Sequence, residues 1–484
     1  MRVTLVIPPE THSIESSIPK GLEGGKGVYP KLGLLYVAAN IEARLGVTPS
    51  VIDCPAERLD YEGLERRLRE CNPELVGVTT LTFNLIDCWK TIKLTKRLFP
   101  QSKVCVGGQH VTLYPEETLG LEGVDFICHG EGERVFTWLA DALRKGSTTE
   151  ELAKIPGLGF KDAGSSLEPG ASPRTRINPH QDRIDDLDDL PMPARHLVDL
   201  GRYDHVAAQG ERLATMQTSR GCPAKCLFCD IRMTKFRKRS AKHVMAELQY
   251  LVDRGIDDFF FVDDTITIDK SRLFEICDII KASGLKIHFK ISARVDTVKP
   301  QLLEALAGAG CYRIHYGVES ATPRLLKYLQ KQTTPEKVAT AFRWTKEAGI
   351  GAFAYCMIGI PTETKEEMLN TVDFAISLDP DYAQFSICTP YPKTALYQSM
   401  LEMGIISEDY WRAFARNPTE DFRVRFWNAD YSEEELRDIQ GECHRRFYSR
   451  LGYIARQARQ LRSWHDLRMK AGLGAKILLR QLNR

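Results

Sequence analysis

The sequence alternates short apolar strands with helices twice along its 484 residues, and this alternation constrains the fold more than any other feature. Residues 2–7 are apolar and β-branched and stop at Pro8, which predicts a buried parallel strand. Further predicted helices and strands follow in turn to residue 144. Because parallel strands need crossover helices that cover the sheet, the pattern predicts an N-terminal doubly wound, Rossmann-like α/β domain over residues 1–150.

A second alternation occupies residues 206–400. Its six predicted strands are separated by helices and lie at residues 214–218, 258–262, 286–292, 313–317, 351–358 and 382–387. Six β/α units are too few for a closed eightfold barrel and predict a partial (β/α)6 barrel. Residues 151–205 are rich in Gly, Ser, Pro and Asp and predict a linker, whereas residues 401–484 predict a basic C-terminal helical region.

Composition and charge exclude several classes of protein. The chain is 43% hydrophobic and 27% charged, as is typical of soluble globular proteins, and its net charge of +2 gives no reason to expect a nucleic-acid partner. No run of about 18 apolar residues predicts a membrane span. An odd count of 13 cysteines, behind an N-terminus without signal-peptide features, predicts a reducing cytoplasmic location rather than a secreted disulfide scaffold.

Three of the cysteines form a motif. Cys222, Cys226 and Cys229 stand in RGCPAKCLFCD, directly after the first strand of the second domain. A structural zinc site needs four ligands, and no fourth Cys or His follows at a usual interval. Three thiolates instead leave one iron of a 4Fe-4S cluster open to a substrate, so the spacing favours such a cluster. The other ten cysteines show no ligand spacing, which predicts that they pack in the core.

The cysteine motif, with Phe228 before its last cysteine, resembles the signature of the radical S-adenosylmethionine superfamily. The resemblance extends over about residues 214–396. It implies that S-adenosylmethionine binds the open iron and that one electron from the cluster cleaves it to a 5′-deoxyadenosyl radical. No side chain of the protein is assigned as catalytic, because the cofactors carry the chemistry.

The resemblance also implies cofactor contacts at the carboxyl ends of the barrel strands. Acceptors for the methionyl ammonium group are expected after the second strand, and Arg294 is expected either to bind the methionyl carboxylate or to form a surface ion pair with Asp296. Glu319 and Ser320 match a ribose-binding position, and Gly359 lets the chain approach adenine closely. The full set of expected contacts in this domain is Phe228, Asp263, Asp264, Thr265, Ser292, Arg294, Glu319, Ser320 and Gly359.

The first domain has no G-x-G-x-x-G after its first strand, which argues against dinucleotide binding. Its loops GVTTLT, VGGQHVT and HGEGE, together with KLGLLYVAANIEARLG, resemble the cobalamin-binding domain that precedes many radical S-adenosylmethionine enzymes. The alternative is a degenerate domain that has lost its corrin. The expected cobalamin contacts are Thr79, Thr80, Gly107, Gly108, Thr112, Gly130, Glu131 and Gly132. No histidine has Asp two positions earlier, so the resemblance implies base-off cobalamin without a histidine ligand.

The C-terminal tail is basic. Between Cys443 and Arg484 the chain has eleven Lys or Arg residues and one acidic residue, and apolar residues recur there at helical spacing. This pattern predicts either peripheral contact with an anionic membrane or a helix that packs on the barrel. Segments before the tail resemble those of cobalamin-dependent radical enzymes that act on tetrapyrroles and hopanoid lipids, which ranks a lipid or tetrapyrrole-like small molecule among the substrates.

Together these features predict a cobalamin-dependent radical S-adenosylmethionine methyltransferase that acts on an unactivated carbon. One alternative is an oxidative cyclase of tetrapyrrole or lipid type without net methyl transfer. A non-enzymatic alternative is a cobalamin or iron-sulfur sensor. Because the cluster needs an electron to cleave S-adenosylmethionine, we expect a flavodoxin or ferredoxin as the electron donor.

Overall fold

The computed structural model describes residues 1–14, 28–162, 174–180, 183–203, 210, 212–426 and 430–459. Contacts divide the chain into two compact units. The first consists of the described residues of Met1–Ile14, Val28–Tyr203 and Glu408–Arg423. The second contains the described residues between 210 and 407 and between 424 and 459.

The first unit is built on a seven-stranded sheet with the order β2-β1-β3-β4-β5-β6-β7. Strands β1 to β5 are parallel, and β6 and β7 continue the sheet antiparallel at one edge. All five residues of β1 are buried, as expected for a central strand covered on both faces. The strands are β1 (Val3–Ile7), β2 (Ser50–Asp53), β3 (Leu75–Thr79), β4 (Lys103–Gly107), β5 (Phe126–Cys128), β6 (Leu158–Asp162) and β7 (Arg174–Ile177).

Helices cross over between these parallel strands, which confirms the predicted doubly wound domain. The helices are α1 (Leu32–Leu45), α2 (Cys54–Glu57), α3 (Tyr61–Cys71), α4 (Leu85–Leu98), α5 (Gln109–Leu113), α6 (Pro115–Gly120), α7 (Gly132–Lys145) and α8 (Thr149–Leu152). Helices α1 and α7 pack together, and the buried Asn40 amide on α1 donates to the Glu133 carbonyl and to Thr137 Oγ1 of α7, both at 2.8 Å. These bonds satisfy a buried polar side chain and fix the two helices in register.

The second unit contains a six-stranded parallel sheet with the order β15-β14-β13-β12-β11-β8. A short antiparallel pair, β9 with β10, stands apart from it. The strands are β8 (Leu213–Met216), β9 (Ser219–Arg220), β10 (Arg237–Lys238), β11 (Asp258–Phe261), β12 (His288–Ala293), β13 (Cys311–Glu319), β14 (Gly351–Ile358) and β15 (Tyr382–Ile387). Six parallel strands with intervening helices confirm the predicted partial barrel.

Helices cover the outer face of this sheet. Tyr316 of β13, for example, packs against Phe342 with ring centroids 5.2 Å apart, and its hydroxyl lies 2.8 Å from Thr345 Oγ1. The remaining helices of the chain are α9 (Ala241–Val252), α10 (Lys270–Ser283), α11 (Pro300–Gly308), α12 (Pro323–Tyr328), α13 (Pro335–Glu347), α14 (Lys365–Ser377), α15 (Ala395–Glu402), α16 (Tyr410–Arg416), α17 (Glu433–Tyr448) and α18 (Leu451–Arg459). In the described part of the chain, no helix is long and apolar enough to cross a membrane.

Two segments differ from the sequence prediction. Residues 151–205, predicted to be a linker, contain α8, β6 and β7, and Leu158 and Phe160 of β6 are buried beside β5. A short edge strand flanked by Gly and Pro has too little hydrophobic periodicity to stand out in the sequence. Residues 408–423 pack in the first unit, where Trp411 of α16 is fully buried with its ring centroid 6.0 Å from that of Phe83.

The C-terminal helices protect the edge strand of the barrel sheet. The Tyr448 hydroxyl of α17 donates to the Ala383 carbonyl at 2.6 Å and accepts from the Ala383 N–H at 3.1 Å. Gln440 donates to the Phe385 carbonyl at 2.9 Å, and Tyr453 of α18 to the Asp381 carbonyl at 2.9 Å. These side chains satisfy backbone groups that an open edge would leave for another strand. Residues 460–484, which carry six of the eleven basic residues of the tail, lie outside the described residues.

We expect Tyr448→Phe to lower the free energy of unfolding by about 1 kcal/mol, because it removes both hydrogen bonds to the backbone of β15 and nothing else. Urea unfolding monitored by circular dichroism measures the change. Tyr431→Phe is the matched control, since the Tyr431 hydroxyl accepts an exposed hydrogen bond from the Lys365 N–H. An equal effect of the two substitutions would contradict the role assigned to Tyr448.

Candidate active site

The three motif cysteines lie in one loop between β9 and β10. Its backbone closes on itself, because the Cys222 N–H donates to Thr234 Oγ1 at 2.8 Å and the Thr234 N–H donates to the Cys222 carbonyl at 2.9 Å. Cys222 and Cys226 are buried and Cys229 is half-buried. Local hydrogen bonds therefore bring all three thiols to the carboxyl end of the barrel sheet.

The cysteine loop suits a cluster better than a single ion. Among the residues that the structure describes, no three His, Cys, Asp or Glu side chains converge closely enough to hold one metal ion. Thiolates that bind different irons of a cluster stand further apart than the ligands of one ion. Burial raises the pKa of the Cys229 thiol to about 12, so a bound metal is needed to hold this sulfur as a thiolate.

A buried carboxylate fixes the start of the cysteine loop. Asp263, which follows β11, accepts hydrogen bonds from the Thr218 N–H at 3.0 Å, from Thr218 Oγ1 at 2.8 Å and from the Ser219 hydroxyl. Arg272 of α10 donates to the Thr218 carbonyl at 3.1 Å and to its Oγ1 at 3.2 Å. Only 3% of Asp263 is exposed, and this burial raises the pKa of its carboxyl.

The Asp263 carboxylate, predicted as an acceptor for an ammonium group, is engaged by protein donors in this structure. The next two residues, Asp264 and Thr265, lie beside the cysteine loop. Asp264 is exposed and its Oδ2 accepts from the Gly221 N–H at 2.7 Å. Thr265 Oγ1 lies 3.7 Å from Cys222 Sγ. Asp263 is thus a positioning residue, while Asp264 and Thr265 border the cysteines.

Arg294 reaches the cysteine loop from the end of β12. Its Nη1 lies 3.5 Å from Cys226 Sγ, and its Nε and Nη2 donate to the Asp296 carboxylate at 2.9 and 2.8 Å. The ion pair with Asp296 is therefore present, and it holds the guanidinium beside the sulfur. Its Nη2 also donates to the Lys331 carbonyl at 2.9 Å.

A buried ion pair lies at the end of β13. Lys331 Nζ donates to Glu319 Oε1 at 2.7 Å, and each side chain is only 9% exposed. Gly317 leaves the room for it, because a Cβ there would lie 2.4 Å from Glu319 Oε1 and 2.5 Å from Lys331 Nζ. Lys331 Nζ also lies 5.8 Å from the centroid of the Phe228 ring. In the sequence, Phe228 stands between Cys226 and Cys229 of the motif. Sequence reasoning missed Lys331, because no motif marks it.

Two predicted cofactor contacts have other partners. The hydroxyl of Ser320, predicted to bind ribose, is fully buried and accepts from the Thr322 N–H at 3.1 Å. Gly359, predicted to approach adenine, has φ 68°, and a Cβ there would lie 2.9 Å from Leu436 Cδ2 of α17. Local sequence identifies a strand end but not the element that packs on it.

A second residue that sequence reasoning missed is Glu363, which follows β14. Its Oε2 accepts from the Ile360 N–H at 3.0 Å, whereas its Oε1 has no hydrogen-bond partner among the residues that the structure describes. Burial raises the pKa of this carboxyl to about 8. No spacing in the sequence distinguishes Glu363 from Glu366 and Glu367, which follow it in α14.

The glycine loops of the first unit meet at the carboxyl edge of its sheet. Thr79 and Gly107 are paired neighbours on β3 and β4. Gly108 has φ 111°, and a Cβ there would lie 2.4 Å from the Thr80 carbonyl oxygen. The Gly130 N–H donates to Thr112 Oγ1 at 3.1 Å, and Glu131 Oε2 accepts from the Ile184 N–H at 2.8 Å, just before α7 begins at Gly132. Only glycine tolerates the positive φ and the close approach at position 108.

Comparisons with known proteins match each of the two units to a domain family. The model of the B12 binding domain matches residues 24–140, and the model of the Radical SAM superfamily matches residues 216–375. The chain is 35% identical over 419 residues to Uncharacterized methyltransferase PH0819 of Pyrococcus horikoshii, and the match covers 86% of each protein. It is 29% identical to the anaerobic magnesium-protoporphyrin IX monomethyl ester cyclase of Cereibacter sphaeroides, over 77% of this chain and 61% of that protein.

A solved structure has the same fold. It is the radical S-adenosylmethionine methyltransferase TsrM of Kitasatospora setae with cobalamin and a 4Fe-4S cluster bound, which has a TM-score of 0.65, 21% sequence identity, and coverage of 83% of this chain and 78% of that one. With the two domain matches and a relative at 35% identity over most of its length, the chain belongs to the family of radical S-adenosylmethionine enzymes that carry a B12-binding domain.

Proposed function

We propose that this protein is a cobalamin-dependent radical S-adenosylmethionine methyltransferase that methylates an unactivated carbon. The observation that carries the proposal is the cysteine loop, with Arg294 Nη1 3.5 Å from Cys226 Sγ and no fourth Cys or His ligand at a usual spacing. When bound, a 4Fe-4S cluster supplies an electron that cleaves S-adenosylmethionine, and cobalamin supplies the methyl group.

The chain's own residues bind and orient these groups. Cys222, Cys226 and Cys229 hold the cluster, and Asp263 with Arg272 keeps the start of their loop in place. Arg294 offers a guanidinium to the methionyl carboxylate, a pairing that favours the planar fork of arginine. The Glu319 carboxylate, whose charge is balanced by Lys331, offers a buried acceptor to ribose hydroxyls.

In the first unit, the glycines of the loops after β4 and β5 allow backbone N–H groups to approach a flat macrocycle. We expect the cobalamin to be base-off without a histidine ligand. The motif for a histidine ligand is absent, and His12, in the loop after β1, has both ring nitrogens engaged, with Nδ1 2.8 Å from Asp87 Oδ1 and Nε2 2.9 Å from Lys90 Nζ.

The similarity to an anaerobic cyclase keeps ring-forming oxidation as a second candidate. Methyl transfer is favoured because the relative with the higher identity and the larger coverage carries the name of a methyltransferase. The two reactions differ in their products, since methyl transfer yields S-adenosylhomocysteine beside 5′-deoxyadenosine and cyclisation yields only the latter.

We also expect a flavodoxin or ferredoxin as electron donor, and membrane contact through the basic tail.

We expect anaerobically reconstituted protein to form 5′-deoxyadenosine from S-adenosylmethionine with a chemical reductant, and Cys226→Ala to form none, because two thiolates do not hold the cluster. The products are measured by mass spectrometry, and the iron and sulfide content is measured beside them. Cys71→Ala is the matched control, since Cys71 is half-buried on α3, away from the motif. Equal product from Cys226→Ala and wild type would overturn the proposed function.

With a small-molecule extract from cells that lack the protein as substrate source, we expect S-adenosylhomocysteine to accumulate together with 5′-deoxyadenosine. The extract contains the unmethylated substrate because nothing has consumed it. Stimulated 5′-deoxyadenosine without S-adenosylhomocysteine would instead support the cyclase.

We expect Gly108→Ala to weaken cobalamin binding about fivefold or more, because the added Cβ would lie against the Thr80 carbonyl oxygen at a positive φ, a strain of about 1–3 kcal/mol. Titration with hydroxocobalamin followed by absorbance measures the affinity, and circular dichroism verifies the fold. Gly33→Ala is the control, since a Cβ at Gly33 meets nothing within 4 Å. Unchanged affinity of Gly108→Ala would argue that this loop does not contact the corrin.

A further inference from the structure

Aromatic rings line the inner face of the barrel sheet. The register pairs His315 of β13 with Phe353 of β14, and Phe353 with Tyr382 of β15. Paired residues of parallel strands point to the same face. Tyr316, one residue after His315, packs on the helices of the outer face, so these three rings point inward. With Phe260 of β11 and Tyr355 of β14 they form a cluster that we call the ring wall.

The rings of the wall contact each other. His315 stacks on Phe353 with centroids 4.9 Å apart and planes at 23°, and Phe353 stacks on Tyr382 at 6.1 Å and 27°. Phe353 also lies 4.7 Å from the Tyr355 ring, and Phe260 lies 5.6 Å from His315. All four separations fall within the range of favourable aromatic pairs. Because His315, Phe353 and Tyr382 stack on one another, the wall presents a row of ring edges to the barrel interior.

The ring wall is buried at His315, which is 7% exposed, and opens towards Tyr355. On β14 the outward residues Ala352, Ala354 and Cys356 are buried, whereas the inward Phe353 is half-buried and Tyr355 is 36% exposed. The same alternation continues on β15, where the inward Gln384 and Ser386 are half-buried. The interior of a closed barrel is normally packed with branched aliphatic side chains. Half-exposed aromatic and polar residues instead line a surface that can accept a ligand.

The ring wall adjoins the candidate active site on the same face. Tyr355 pairs with Gly317, and a Cβ at Gly317 would lie 2.4 Å from Glu319 Oε1, which brings the Glu319 carboxylate over the inward side of Gly317 despite the register shift that follows it. Ser292 pairs with His315, and Arg294 follows two residues after Ser292. The Tyr355 hydroxyl lies 3.1 Å from His315 Nδ1, so a polar group is held within the wall. A ligand on the wall would lie next to Arg294 and Glu319.

We propose that the ring wall binds the substrate, and that the part of the substrate held there is a planar, unsaturated ring with a hydrogen-bonding substituent. Edge-to-face contact between the wall rings and the face of a ligand ring selects a planar, unsaturated ring. The Tyr355 hydroxyl, oriented by His315, bonds the substituent. This inference rests on the proposed function, because that function requires an organic substrate beside Arg294 and Glu319.

Naphthol and its fully hydrogenated counterpart, decalol, test the proposal. They share a bicyclic skeleton and one hydroxyl, but only naphthol is planar. Isothermal titration of the reconstituted full-length protein with S-adenosylmethionine measures their affinities without turnover. We expect naphthol to bind roughly fivefold to tenfold more tightly, as one good aromatic contact predicts.

Variants of the wall identify the binding surface. Phe353→Leu should abolish the preference for naphthol, and Tyr355→Phe should weaken naphthol binding about fivefold because it removes only the hydroxyl. Phe342→Leu and Tyr316→Phe are the matched controls, since these residues lie on the outer face near β13 and should leave both affinities unchanged. If circular dichroism shows that Phe353→Leu does not fold, the effect of Tyr355→Phe on naphthol binding decides the test.

The proposal is overturned if wild-type protein binds neither probe, binds both equally, or keeps its affinity and preference in both wall variants. These outcomes are distinct from failure of the proposed function. A protein that prefers naphthol through Phe353 and Tyr355 but forms no 5′-deoxyadenosine would contradict the enzymatic assignment alone. Formation of 5′-deoxyadenosine without any preference for the planar probe would contradict only the ring wall as a substrate site.

Discussion

The buried carboxylate of Asp263 is the constraint on which the candidate active site depends. Asp263 and Arg272 are 3% and 4% exposed, and burying such charges costs several kcal/mol unless each makes good hydrogen bonds. Their bonds converge on Thr218, with Ser219 donating to the same carboxylate. Because any other arrangement would leave a buried charge without a partner, the chain enters the cysteine loop in one conformation.

A second buried pair connects loops that are distant in sequence. Lys331 neutralises Glu319 at the end of β13, and its carbonyl accepts a hydrogen bond from Arg294 at the end of β12. Arg294 in turn contacts Cys226. The carboxyl ends of β12 and β13 and the cysteine loop are thereby held as one polar assembly. Next to it on the inner sheet face lies the ring wall, with Lys290 4.9 Å from the Phe260 ring and Arg313 4.9 Å from the Tyr382 ring.

Much of the fold and part of the site could be predicted from local sequence. Hydrophobic alternation located the parallel strands of both units, and spacing identified the three cysteines. Arg294 was predicted because it directly follows a strand, and the structure brings it to Cys226. The opposite behaviour of Asp263 and Asp264 was not predictable. Both residues lie beyond the end of β11, where strand alternation no longer fixes the direction of a side chain, and the protein donors around Asp263 decide its burial.

The sequence by itself determined the chemical groups and the order of the elements, because cysteine spacing and strand periodicity are local properties. Only the tertiary structure decided which groups meet. Lys331 is not marked by any motif, yet it pairs with Glu319. Residues 408–423 join the first unit across the whole length of the barrel sequence. The ring wall draws its rings from four strands, and its existence depends on register and on which face the helices cover. Such contacts join residues far apart in the chain, and no local pattern encodes them.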